Sequence, residues 1–228
     1  MIIAVDGPSS AGKGTLARSL AEYFDFAFLD TGLIYRALGQ KCLELNIALE
    51  EEDRILFQAQ SLKAEDLETP NLRTERVADM ASKVSALPEV RKALLDFQRR
   101  FAYSPPQGKK GAVLDGRDIG TVICPQAPLK IFITADVETR ARRRFKELQE
   151  KQFDVIYEAV LEDLNKRDAR DRNRDHAPLK PAEDAYVLDT SRLSRSEVFE
   201  KVIEHILSKG FVKADQPRVF NIRNTTNN

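Results

Sequence analysis

The chain opens on Ile2-Ile3-Ala4-Val5-Asp6, a β-branched run without polar alternation, as expected of a strand covered on both faces of a parallel sheet. Similar runs recur from Phe26 to Leu29, Ala112 to Leu114, Leu129 to Thr134 and Ala185 to Leu188, giving five candidate central strands. Between them the apolar period changes. Leu16, Ala17, Leu20, Ala21 and Phe24 fall on one helical face, as do Val77, Met80, Ala81 and Val84. A last helix carries Val198, Phe199, Val202, Ile203, Ile206 and Leu207, and Ser194-Arg195-Ser196-Glu197 opens it as a capping box. Strands alternating with helices predict a doubly wound α/β sheet.

Two stretches break the alternation. Residues 32 to 101 form a long, mostly helical excursion between the second and third strands, and residues 137 to 176 form another between the fourth and fifth. The first returns through Ser104-Pro105-Pro106-Gln107-Gly108-Lys109-Lys110-Gly111, a stiff polar loop. Such excursions are natural sources of lobes that close over a ligand. There is no internal repeat, and the polar end from Asp215 to Asn228 is expected to fray.

A length of 228 residues suffices for one substantial core. Lys and Arg number 36 and Asp and Glu number 36, and the resulting zero net charge argues against a globally basic nucleic-acid binder. Cys42 and Cys124 are too few for a disulfide framework or a four-thiolate zinc site, and His176 and His205 too few for a multi-histidine zinc hydrolase. The chain reaches glycine at position 7 with no basic and apolar leader before it, and its apolar runs fall far short of a membrane span. A reducing cytoplasm is the expected setting.

Gly7-Pro8-Ser9-Ser10-Ala11-Gly12-Lys13-Gly14-Thr15 carries the strongest chemical signal. A loop of this kind turns successive backbone N–H groups inward as an anion nest, and the helix that follows adds the positive end of its dipole. Gly7 and Gly12 permit the tight path, Lys13 reaches β- and γ-phosphates, and the Thr15 hydroxyl holds Mg²⁺. A plain strand-to-helix turn is the bland alternative, and the flanking strand and helix weigh against it. Lys13 is followed by Gly14 before Thr15, an order that resembles the nucleoside monophosphate kinase version of the loop.

Further motifs follow in order: Asp30-Thr31-Gly32-Leu33-Ile34-Tyr35-Arg36, then Ser82 and Arg91, then Asp115-Gly116-Arg117-Asp118. Arg167-Asp168-Ala169-Arg170-Asp171-Arg172-Asn173-Arg174, Ala177-Pro178-Leu179 and Leu188-Asp189-Thr190-Ser191 complete the series. From about residue 2 to about residue 207 the series closely resembles the bacterial cytidylate kinase family, which transfers the γ-phosphoryl of ATP to CMP or dCMP. The resemblance implies a P-loop three-layer α/β fold with a five-stranded parallel sheet, a helical acceptor-binding lobe and a mobile lid. The core then comprises residues 1–31, 108–140 and 177–210, the acceptor lobe 32–107, the lid and acceptor-contact segment 141–176, and a C-terminal tail 211–228. Partners are small-molecule nucleotides with Mg²⁺ beside ATP. No nucleic acid or membrane is expected, and the chain is expected to be a monomer.

The same resemblance distributes the site. Arg36, Arg117 and Arg174 grip the acceptor phosphate, a task suited to a planar fork that never loses its proton. Surface ion pairing is their ordinary alternative. Asp118 faces the cytosine amino group while Ser82 and Arg91 address the other edge, an arrangement that would meet the O4 of uracil with a second acceptor. A turn residue after Gly116 is the plainer reading of Asp118. Thr31 joins the acceptor set, and Arg167 and Asp171 match positions that hold the ribose hydroxyls, although a simple i, i+4 ion pair would explain them too. Arg140, Arg142, Arg143 and Arg144 open the lid, and some of them, Arg144 above all, are expected to swing onto the donor phosphates and join Lys13, Arg117 and Arg174 in catalysis. RNA binding by this run is disfavoured, since residues 138 to 176 hold eleven basic and ten acidic residues. Asp115 resembles a Walker B position near hydrated Mg²⁺, and the stretch from Thr190 to Arg192 lies where relatives hold adenine.

One feature departs from the family. Residues 46 to 73 hold only Ile47, Ile55 and Thr69 as β-branched residues against seven acids, so a helical, shortened insert is expected in place of the family's small antiparallel sheet. Two rival functions stand beside the main one. Asn165-Lys166-Arg167-Asp168 spells a guanine-reading pattern, but it lies in a helical stretch and no Asp-x-x-Gly occurs in the chain, which weighs against a GTP-binding switch protein. A kinase of the same fold acting on UMP, AMP or another metabolite is the nearer rival, and Ser82, Arg91 and Asp118 weigh against it.

Overall fold

The computed structural model describes residues 1–210, so the expected fraying of the C-terminal tail, 211–228, lies outside the described residues. Five parallel strands, β1 (Ile2–Asp6), β2 (Ala27–Asp30), β3 (Ala112–Gly116), β4 (Leu129–Thr134) and β5 (Tyr186–Asp189), form one sheet in the order β2-β3-β1-β4-β5. These are the five apolar runs. β2 and β5 begin one residue later than their runs do. All residues of β1 are buried, and its side chains alternate between two cores. Ile2 and Ala4 face one core, packed against helices α2 (Thr31–Glu44), α3 (Glu52–Gln60), α4 (Glu75–Val84) and α5 (Pro88–Tyr103). Ile3 and Val5 face the other, with α1 (Lys13–Phe24) and α8 (Arg195–Ser208). Helix on sheet on helix gives the three layers.

Helices α6 (Val137–Glu150) and α7 (Tyr157–Asn173) stand apart from both cores and share a third, smaller one around Ala141, Leu148, Val160 and Leu164. Residues 46 to 73 contain α3 and a 3₁₀ stretch, Ala64–Glu68, and no strand. Ile55 and Ala59, four apart, bury one face of α3 in the first core, so the few apolar residues of the insert are used at helical spacing. Ser194 and Glu197 form the capping box of α8 as the sequence predicts. Among the described residues no helix is long and apolar enough to cross a membrane.

Parallel strands bring their carboxyl ends to one edge, where Asp6, Asp30 and Asp115 end or nearly end β1, β2 and β3. Ligands of open α/β sheets bind in the crevice outside that edge. The central strand bears most of the packing. Ile3→Ala, at a fully buried position, is therefore expected to lower stability by about 2–5 kcal/mol, measured as a fall in the denaturant midpoint with the slope unchanged.

Candidate active site

Between β1 and α1 the chain passes through positive φ at Gly7 (146°), Ser10 (60°) and Gly12 (97°). At Gly7 a Cβ would lie 1.9 Å from the Ile133 carbonyl oxygen of β4, so only glycine fits. Gly12 precedes α1, and no side chain caps that helix. Its first amides thus stay available to an anion, in a site that also has the positive end of the helix dipole. Lys13 is buried, donating from Nζ to the Pro8 carbonyl at 2.8 Å and lying 4.0 Å from Asp115. Burial and then the Arg117 charge hold the Lys13 ammonium below the ordinary lysine value, while burial lifts the Asp115 carboxyl. Thr15, in the first turn of α1, is exposed. Asp115 lies over that turn, with Oδ2 3.2 Å from where a Gly14 Cβ would stand.

β3 delivers Arg117 and Asp118 to the same edge. Arg117 donates to Asp171 of α7 (2.8 Å) and to the Ser9 hydroxyl (2.9 Å), joining α7 to the phosphate loop. Asp118, buried, pairs with Arg91 of α5, whose guanidinium stacks over the Tyr35 ring at 5.7 Å. Arg174, just past α7, donates from Nε to the Ala177 carbonyl (2.6 Å). Its Nη2 lies 3.6 Å from Asp118 and is buried without a hydrogen-bond partner, as is the Ser82 hydroxyl of α4. Unpaired buried donors are costly, and a ligand that accepts from them removes the cost. Burial, then the Arg91 charge, lowers the Arg174 guanidinium.

A second group of guanidiniums surrounds Arg36. Its Nη1 donates to the Leu72 carbonyl at 2.9 Å, and burial followed by the charges of Arg167, Arg144 and Arg73 pushes it down to about 10 against the opposing pull of Asp30. Arg73, Arg144 and Arg167 are paired with Asp30, Glu75 and Asp163, whereas the hydrogen bond of Arg36 goes to a carbonyl. Thr31 already donates its hydroxyl to the Asp115 carbonyl at 2.8 Å. Arg167 is 3.6 Å from Asp163 and Asp171 is taken by Arg117, so these two do not form the simple i, i+4 pair with each other.

The arginines that open α6 are not equivalent. Arg140 is 2% exposed, paired with Asp168 through two donors (3.1 and 2.6 Å) and bound to the Ser9 carbonyl at 3.2 Å. It is a fastening between α6, α7 and the phosphate loop rather than a group free to swing. Arg142 pairs with Glu138 at the surface. Arg143 donates to Thr190, which itself donates to the Ala11 carbonyl (3.1 Å), so the Thr190 stretch adjoins the phosphate loop. Arg144 is drawn to Glu75 of α4 and to Glu147. Sequence reasoning gave no role to Glu75, Arg73 or Asp6, and met Asp168 only inside longer motifs, not as the partner of Arg140. Asp6 left a local trace as a carboxylate closing an otherwise apolar strand.

The sequence model of one protein family, described as cytidylate kinase, matches residues 3–208. A cytidylate kinase of Paramagnetospirillum magneticum is 56% identical over 210 residues, spanning 91% of this chain and 98% of its own length. A cytidylate kinase of Rhodospirillum rubrum is 49% identical over 209 residues, 92% of this chain and 98% of its own. Among solved structures, an uncharacterized protein from Eubacterium ventriosum superposes with a TM-score of 0.51 at 16% identity, covering 91% of this chain and 99% of that one, a likeness of fold alone.

Removing one partner of a buried ion pair strands the other charge. Asp168→Ala is accordingly expected to cost about 3–5 kcal/mol, read from chemical denaturation, whereas the exposed Glu138→Ala should cost less than about 0.5 kcal/mol.

Proposed function

This chain belongs to the cytidylate kinase family, and from that membership we propose how its residues divide the work. The protein transfers the γ-phosphoryl group of ATP to CMP or dCMP, giving ADP and CDP or dCDP. On our reading, Gly7 to Thr15 hold the ATP phosphates through backbone amides and the Lys13 ammonium. Residues 32–107 form the acceptor lobe, and 141–176 supply the lid and further acceptor contacts.

The observation that carries the acceptor assignment is that Arg174 Nη2, 3.6 Å from the Asp118 carboxylate that pairs with Arg91, is buried without a hydrogen-bond partner, as is the Ser82 hydroxyl. Donors next to a carboxylate suit cytosine, which shows an amino donor beside N3 and O2 acceptors. Asp118 takes the amino group, and Ser82 and Arg91 meet the other edge. Arg36, Arg117 and Arg174 hold the acceptor phosphate, while Thr31, Arg167 and Asp171 complete the acceptor contacts. Arg117 is already hydrogen-bonded to Ser9 of the phosphate loop, which supports a role for it at both phosphate groups.

Chemistry then reduces to charge and position. A phosphate oxygen of CMP, already ionised, approaches the γ-phosphorus. The bond from that phosphorus to the β–γ bridging oxygen breaks, leaving ADP. No proton has to be removed from the nucleophile, so no general base is assigned. Lys13, Arg117 and Arg174 offset the repulsion between the two nucleotides and the charge of the transition state. Arg144 reaches the donor phosphates only after exchanging its contacts with Glu75 and Glu147 for them.

Mg²⁺ fits the donors present, since the exposed Thr15 hydroxyl and the nearby Asp115 carboxylate are hard oxygen groups, and Thr15 would hold it directly. When bound, the ion draws charge from the β- and γ-phosphate oxygens.

Supplying ATP and Mg²⁺ with CMP, dCMP, UMP, AMP, GMP or dTMP, and following ADP, tests the acceptor class; CMP and dCMP should be the preferred substrates. In that assay Lys13→Ala is expected to lower kcat by roughly 10²–10³-fold with the circular dichroism spectrum intact. Asp118→Ala should narrow the preference for CMP over UMP in kcat/KM by roughly 10–100-fold; an unchanged ratio would remove Asp118 from base reading.

A further inference from the structure

Asp6 has no role in the assignments above, although it is the charged residue of the central strand and is 5% exposed. Its two oxygens accept from successive backbone amides, Oδ1 from Ile119 and Oδ2 from Gly120, both at 2.8 Å. These amides open a π-helical turn, Ile119–Ile123, that directly follows Asp118. The Asp118 carbonyl accepts in turn from the amides of Val122 (2.9 Å) and Ile123 (3.1 Å), so turn and aspartate form one hydrogen-bonded unit. The turn carries no cap from its own first residues. A carboxylate 113 positions earlier in the chain does that work instead. The fit is close: a Cβ on Gly120 would stand 3.4 Å from Asp6 Oδ2 and 3.1 Å from a Lys130 methylene.

Two charged groups act on Asp6 across this space, Asp118 and Lys13. Burial pushes the Asp6 carboxyl up to about 7 against the pull of the two amides, so a carboxyl is kept here at an energetic disadvantage. π-helical turns are rare and recur at functional positions. This one separates a base-reading aspartate from the rest of the chain.

Resting on the reading that Asp118 faces the cytosine amino group, we propose that Asp6 is a positioning residue for acceptor selection. By clamping Ile119 and Gly120 it sets where the Asp118 carboxylate, and Arg117 before it, stand relative to the phosphate loop that starts at Gly7. A slackened clamp leaves the donor site formed and lets the base reader drift.

Asp6→Asn tests this, because it turns one acceptor oxygen into an N–H donor facing a backbone N–H. Kinetics with saturating ATP should show KM for CMP raised roughly tenfold and the CMP over UMP ratio of kcat/KM lowered roughly tenfold, from one buried hydrogen bond lost. The dissociation constant for ATP, measured by calorimetry, should change less than about twofold, since the loop backbone is untouched. Gly120→Ala, which presses a methyl group on the same clamp, should move KM and the ratio in the same direction, and it serves alone if Asp6→Asn does not fold. Unchanged KM and ratio in a folded variant overturn the proposal, as does a loss of ATP binding in step with CMP binding. Asp118→Ala separates the two readings. If it abolishes the CMP preference while the clamp variants retain it, only the role of Asp6 fails; if it leaves the preference intact, the base-reading assignment fails first.

Discussion

Buried guanidinium groups left short of neutralising carboxylates are the constraint around which this site is organised. A guanidinium can be taken out of water because it keeps its proton, spreads its charge and makes several hydrogen bonds at once. Here Arg117 and Arg140 are held by carboxylates and by Ser9 of the phosphate loop, Arg117 through its hydroxyl and Arg140 through its carbonyl. Arg36 and Arg174 are less fully satisfied, and burial together with neighbouring cations lowers both. That imbalance agrees with membership of a family whose reaction brings a nucleoside monophosphate beside a triphosphate. The sheet contributes by stopping three strands at one edge, so that a lysine, two arginines and several aspartates converge without long loops.

What was legible in the sequence follows from how local each signal is. The strands were visible as apolar runs, most clearly β1, which is buried on both faces and apolar up to its closing Asp6. The phosphate loop was visible because its glycines answer to backbone needs, most sharply at Gly7 under the Ile133 carbonyl. Helical structure in residues 46 to 73 followed from acids and a scarcity of β-branched residues. Ser82, Arg91 and Asp118 were grouped only through resemblance, since nothing in their spacing announces that Arg91 and Asp118 pair once the chain folds.

The ion-pair partners were not legible at all. Asp168 lies 28 positions from Arg140, and Glu75 lies 69 from Arg144. Local pattern carries no information at such separations, and each of these acids also reads as an ordinary solvated residue on a charged helix. Arg140 is an example: in a run of four arginines of which some are expected to swing, it is the least exposed and is held by Asp168 through two donors.

The division of apolar packing into two large cores and one small one has an energetic corollary. The α6/α7 pair rests on a small core of four buried apolar residues and their partly buried neighbours, and Arg140 ties it to the phosphate loop. Opening free energies within a protein scale with the packing each unit must give up. Amide protons of α6 and α7 should therefore exchange with solvent through a partial opening well below the global unfolding energy, one that leaves β1 and its loop intact. The phosphate loop would then outlast the α6/α7 pair in any such opening.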